Sequence, residues 1–190
     1  MPLTLSFITL CFTIMAIFWI ISAFKTKRTI KKTGGWTMRI LAIIIVISII
    51  SIQKNGQAYL PFLSIPTWPQ TLGVQLLADF VTLLGLIVMI WARQTLGANW
   101  SANIVLKENH ELITSGPYAY VRHPIYSGLL LMILGLVIFY ANWAGIFLFL
   151  LFFIGAYIKG RKEEKILSEH FRDEYPAYRA RVKALIPFVW

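Results

Sequence analysis

Charged residues fall in blocks along this chain, and the apolar runs between the blocks are long. Leu3 to Phe24 is free of charge over 22 residues. As a helix that run covers about 33 Å at about 1.5 Å per residue, enough to cross a hydrocarbon layer of about 30 Å. Basic residues follow the run instead of preceding it, so it reads as a retained span, not as a cleaved leader. Trp36 to Ile52 is a second run, rich in Ile, with Trp36 and Arg39 placed as interfacial anchors. Residues 53–71 hold Asn, Gly and prolines and read as a loop. Leu72 to Trp91 is a third run, interrupted by Asp79 and ended by Arg93. Ile125 to Ile158 then has no charge for 34 positions. One straight helix of that length would overshoot the bilayer at about 51 Å. The polar break at Ala141-Asn142 therefore predicts two antiparallel helices of about 16 residues each, joined by a tight turn.

These runs predict an all-α integral membrane bundle of five transmembrane helices, the last two a tight hairpin. An amphipathic C-terminal helix follows, with Ile166, Leu167, His170 and Phe171 on one face. Residues 1–92 make up three N-terminal spans, and residues 93–190 hold the hairpin, the tail and the polar connections where chemistry is expected. Six basic residues lie between Lys25 and Arg39 and eight between Lys159 and Lys183, each group directly after an apolar run. That asymmetry predicts an N-terminus outside and a C-terminus in the cytoplasm.

Composition excludes other classes. Apolar and aromatic residues make up 58% and charged residues 14%, too apolar for a typical soluble domain or a disordered chain. The formal net charge of +10 sits at helix ends, so it marks membrane topology and not a nucleic-acid face. Cys11 is the single cysteine and cannot form an intramolecular disulfide. His110, His123 and His170 lack the spacing of a metal site, and no metal is expected.

The connection 93–124 is long and polar, and such loops are uncommon without a purpose. Its end reads Arg122-His123-Pro124-Ile125-Tyr126. Proline disfavours helical geometry at His123 and suits a first helical turn, so Pro124 should start the fourth span. Unpaired N–H groups at that start would suit a carboxylate or phosphate. Two helices of equal length return the chain to the face it left, which should bring Glu163 and Glu164 beside Arg122 and His123. The expected result is a mixed-charge pocket at the membrane surface. A structural ion pair between Arg122 and either glutamate is the plainer reading of the same charges. Asp79, with Gln75 one turn away, is an intramembrane carboxyl whose role reads as structural near the outer end.

The combined pattern resembles the isoprenylcysteine carboxyl methyltransferase family. It comprises Gly97-x-Asn99-Trp100-Ser101, Arg122-His123-Pro124-x-Tyr126, Glu163-Glu164, Phe171-x-x-x-Tyr175-x-x-Tyr178-x-x-Arg181-Val182 and Leu185-Ile186-Pro187, across roughly half the chain. The resemblance implies methyl transfer from S-adenosylmethionine at a membrane. It assigns the cofactor to His110, Glu111, Leu112, Ile113, Tyr118, His123, Pro124, Ile125, Tyr126 and Glu163. It assigns substrate contacts to Arg122 and Lys159, where Lys159 replaces an arginine common in the family. The implied acceptor is lipophilic: an isoprenylcysteine-like carboxylate, or another lipid-soluble acid, amine or thiol. The short chain resembles prokaryotic members, which implies a bacterial or archaeal inner membrane. Two alternatives remain open at this point: a nicotinamide-dependent reductase of the sterol type, which shares part of the motif, and a non-catalytic membrane scaffold.

Overall fold

A computed structural model describes residues 3–23, 29–33, 61–100, 104–107 and 111–187. The expected second span, residues 53–60 of the following loop, and His110 lie outside the described residues. Helix α1 covers Leu3–Ala23, strand β1 Thr29–Thr33, helix α2 Leu72–Leu96 and strand β2 Ile104–Lys107. Helix α3 covers Pro124–Tyr140, α4 Trp143–His170 and α5 Glu174–Arg181, with single 3-10 turns at Pro61–Ser64, Gly97–Asn99 and Gly116–Ala119.

The described chain is mostly helical, and α1, α2 and α4 are each long and apolar enough to cross a membrane. Helix α3 is apolar but shorter, at 17 residues, or about 26 Å. Phe80, Phe147 and Ile154 each leave more than half of their surface uncovered, which is costly in water and unremarkable against lipid tails. A hydrogen bond from Thr4 to Gln75 (3.1 Å) ties the starts of α1 and α2, and one from Arg93 to the Ser22 carbonyl (2.6 Å) ties their ends. The two helices therefore run parallel.

Helices α2 and α3 run antiparallel and touch backbone to backbone. A Cβ built on Gly85 would lie 2.6 Å from the Gly128 carbonyl oxygen, and one on Gly128 2.7 Å from that of Gly85. Only glycine at both positions permits this approach, the small-residue packing by which helices associate in lipid. Leu86, Met89, Met132 and Cys11 fill the adjoining core.

The expected hairpin turn is present. Ala141 takes the left-handed conformation (φ 46°, ψ 48°), and the Asn142 side chain accepts a hydrogen bond from the Gly145 N–H at 2.9 Å, capping α4. Trp68 donates across to the Ile138 carbonyl at 3.1 Å, so the loop before α2 covers this end.

Three features depart from the sequence reading. First, β1 and β2 pair as a short antiparallel ribbon, Thr33 opposite Ile104 and Lys31 opposite Leu106, an addition to the otherwise helical architecture. Second, α2 continues past Trp91 to Leu96. Arg93 does not mark an exposed helix end: the residue is 2% exposed, and its guanidinium donates to the Gly97 carbonyl at 2.7 Å and lies 4.6 Å from the Trp100 ring centre. Third, Ile166, Leu167 and His170 belong to α4 and not to a separate tail helix. The charged stretch Lys159–Lys165 consists mostly of strong helix formers, so the helix runs on for about three more turns beyond its apolar part. The short C-terminal helix is α5.

Candidate functional site

The site is built where α3 begins and where α4 leaves the apolar layer. Pro124 occupies the first position of α3, and no side chain caps that turn. The residues just before it are fixed by the tail of the chain. The N–H groups of Arg122 and His123 donate to the carbonyls of Lys183 and Ala184 (2.8 and 3.0 Å), and Ser127 Oγ donates to the Leu185 carbonyl (2.6 Å). Tyr178 on α5 donates its hydroxyl hydrogen to the Tyr118 carbonyl at 2.7 Å. Residues 182–185 thus form a strap across the start of α3.

Glu164 is the centre of a buried knot. It is 3% exposed and accepts from Arg122 Nε (2.9 Å) and Nη2 (2.7 Å). His123 Nε2 lies 3.2 Å from the same oxygen, and Arg179 and Arg161 stand at 3.6 and 3.8 Å from the other. Burial opposes ionisation of Glu164, but hydrogen bonds from His123 and Arg122 and their charges win, holding its carboxyl at about 2. The Arg122 Nη1 donors go to the carbonyls of Arg179 and Val182. Arg122, expected to touch substrate, therefore has its guanidinium engaged in joining α4 to the strap.

Glu163 sits on the adjacent flank, with a quarter of its side chain exposed. Tyr126 donates its hydroxyl hydrogen to Glu163 Oε1 at 2.6 Å, and His123 Nδ1 lies 3.7 Å from Oε2. The His123 and Tyr126 rings stack at 5.6 Å, and Lys159 Nζ lies 5.3 Å from the Tyr126 ring centre. The Glu163 carboxylate, close to an uncapped helix start, suits a small zwitterion: the acid for an ammonium, the helix start for a carboxylate. Tyr118, buried in the turn Gly116–Ala119, is pushed well above the ordinary phenol range by burial and then by the charge of Glu163, so its hydroxyl keeps its proton.

Of the residues expected at the cofactor, His123, Pro124, Tyr126 and Glu163 come together, and Ile125 follows in the same turn. Leu112 and Ile113 are half-buried and Glu111 is exposed; His110 lies outside the described residues. Gly160 also matters, since a Cβ there would lie 3.0 Å from His123 Nε2. A cavity of about 290 Å³ opens on the other flank of α4, lined by Arg122, His123, Gly160, Glu164 and, beyond them, Arg161, Arg179 and Lys183. The sequence reading passed over these last three, whose only signal was membership of the basic tail.

Residues 74–174 match the phospholipid methyltransferase family. The protein-S-isoprenylcysteine O-methyltransferase of Schizosaccharomyces pombe is 36% identical over 97 residues, 49% of this chain and 41% of that protein. Protein-S-isoprenylcysteine O-methyltransferase B of Arabidopsis thaliana is 29% identical over 135 residues, 69% of this chain and 66% of that protein. The Bacillus subtilis protein YpbQ is 34% identical over 85 residues, 44% of this chain and 51% of that protein. The chain spans about half the length of the curated relatives it matches.

Proposed function

This chain belongs to the phospholipid methyltransferase family, and from that premise we propose that it transfers a methyl group from S-adenosylmethionine to a lipophilic acceptor reaching the site from the bilayer. The observation that carries the reading is the grouping of Glu163, His123 and Tyr126 at the uncapped start of α3. Its donors and acceptors fit the amino-acid end of that cofactor.

When bound, S-adenosylmethionine supplies a methyl group already activated on a sulfonium. The residues of the chain then have to hold, align and exclude water. Glu163 receives the ammonium, and the N–H groups after Pro124 receive the carboxylate. Tyr126, bonded to Glu163 and stacked on His123, fixes the position of both. Tyr118, Leu112 and Ile113 enclose the apolar part of the ligand. Lys159 beside Tyr126 brings a positive charge to the acceptor, which suits a carboxylate nucleophile. A carboxylate is ionised near neutral pH and needs no general base. The relatives named for isoprenylcysteine support a lipid-modified acid, and the single point charge of lysine, in place of the two-pronged guanidinium, accommodates other lipophilic acids or thiols. The basic blocks after α1 and within the tail support a cytoplasmic side for the site.

Calorimetry on the purified full chain tests this. S-Adenosylmethionine should bind, and Glu163→Gln and His123→Ala should each weaken binding by about tenfold or more. Unchanged affinity in both variants overturns the site. Incubation with methyl-labelled cofactor and lipid extract should label a lipid-soluble product; label on water-soluble molecules alone overturns entry from the bilayer.

A further inference from the structure

The cavity on the far flank of α4 meets the grouping around Glu163 only at His123. Neither Glu163, Tyr126 nor Tyr118 lines it, and its outer wall is basic: Arg161 from α4, Arg179 from α5 and Lys183 from the strap. The one carboxylate in the lining, Glu164, is already neutralised by Arg122, so three cationic side chains are left in surplus. Arg161 and Arg179 reach Glu164 only at 3.8 and 3.6 Å, beyond hydrogen-bond distance, and about half of each side chain is exposed. The cavity also has a second, apolar wall. Ala156, Tyr157 and Leu185 line it, and the first two belong to the last apolar turn of α4 before the charges begin at Lys159. It therefore straddles the level at which lipid tails give way to headgroups, where aromatic residues collect and basic residues attract anionic lipid. A volume of about 290 Å³ is near the lower end of ligand-sized clefts and suits a headgroup whose tails remain outside.

We propose that this cavity binds the phosphate headgroup of an anionic membrane lipid, with Arg161, Arg179 and Lys183 on the phosphate and the acyl chains lying along Ala156 and Tyr157. The site does not depend on methyl transfer. Because the strap carrying Lys183 also holds the backbone of Arg122 and His123, an occupied cavity braces the start of α3 from behind.

Native mass spectrometry of the detergent-purified full chain, titrated with dioctanoyl phosphatidylglycerol, dioctanoyl phosphatidylcholine or inorganic phosphate, tests the proposal. Phosphatidylglycerol should bind at least about tenfold more tightly than either of the other two, and added salt should weaken it. The double variant Arg161→Gln/Lys183→Gln should lose about tenfold or more, while the charge-preserving pair Arg161→Lys/Lys183→Arg should bind within a few-fold of the native chain. Equal binding of the two lipids overturns the proposal, as does an unchanged affinity in the glutamine pair or a full loss in the charge-preserving pair. Displacement of the lipid by inorganic phosphate at equal concentration overturns the lipid as occupant and leaves a free-phosphate site.

Discussion

Glu163 and Glu164 are neighbours in the chain, yet α4 turns them to different regions. Glu164 faces the strap and α5, buried, with a guanidinium and an imidazole on one oxygen. Glu163 faces the start of α3, a quarter exposed, with one tyrosine donor and room on its second oxygen. Successive helical residues point about 100° apart, so a pair of adjacent acids at a helix end can serve two flanks at once. One flank holds the fold together and the other is left with unused hydrogen-bonding capacity, where a ligand is needed. Arg122 and His123 divide in the same way: Arg122 is consumed by Glu164 and two carbonyls, while His123 touches both acids and couples the two flanks.

The largest effect should come from breaking the buried side. Glu164→Ala leaves the Arg122 guanidinium, itself only 10% exposed, without its counter-ion. A buried charge stripped of its partner costs about 3–5 kcal/mol. Thermal unfolding of the purified chain should show a drop of many degrees, and the strap over α3 should become open to proteolysis. If Glu164→Ala unfolds at the native temperature, the contrast between the two acids is wrong.

Acid should reproduce part of that loss. The Glu164 carboxyl is held at about 2, against an ordinary value of 4.5. A group depressed in the folded state stabilises above its unfolded value and loses that contribution as pH falls through the folded one. The window is therefore from about pH 4.5 down to 2, and the contribution lost is roughly 3 kcal/mol. Other carboxyls titrate as well, so the informative quantity is a difference: the acid slope of the unfolding midpoint should be shallower in Glu164→Gln than in the native chain. Equal slopes in the two would remove Glu164 from its role.

The sequence carries the outline of this arrangement and omits its division of labour. Ala141-Asn142 is a lone polar break inside a charge-free stretch too long for one span, so the hairpin and its turn are legible; so is Pro124 as a helix start. Equal hairpin arms follow from the same reading and bring Glu163 and Glu164 to Arg122 and His123. Which glutamate meets which partner depends on the rotational phase of α4, and phase is set by packing along the whole helix. Arg93 looks like a boundary residue because a cation usually marks one; the carbonyls of Gly97 and Ser22 that bury it come from a helix end and from another helix. Arg179 and Lys183 are hidden for a similar reason. In the sequence they are two of many tail cations, and only the strap at residues 182–185, paired to the backbone of residues 121–123, brings them to α4. The ribbon β1–β2 joins segments more than 70 residues apart and has no local alternation strong enough to announce it.

The smallest expected change sharpens the contrast most. Glu163→Ala removes the acceptor of the Tyr126 hydroxyl and a carboxylate 3.7 Å from His123 Nδ1. The Tyr126 hydroxyl loses its acceptor, so the net loss should be that of one ordinary hydrogen bond, about 1 kcal/mol. The unfolding midpoint should stay within a few degrees of the native value. The same variant should lose S-adenosylmethionine binding, because the open side of Glu163 is where the ammonium is proposed to sit. Stability kept with binding lost is the signature of a residue reserved for a ligand. A large fall in stability would instead make Glu163 a second structural acid, and the division between the flanks would disappear.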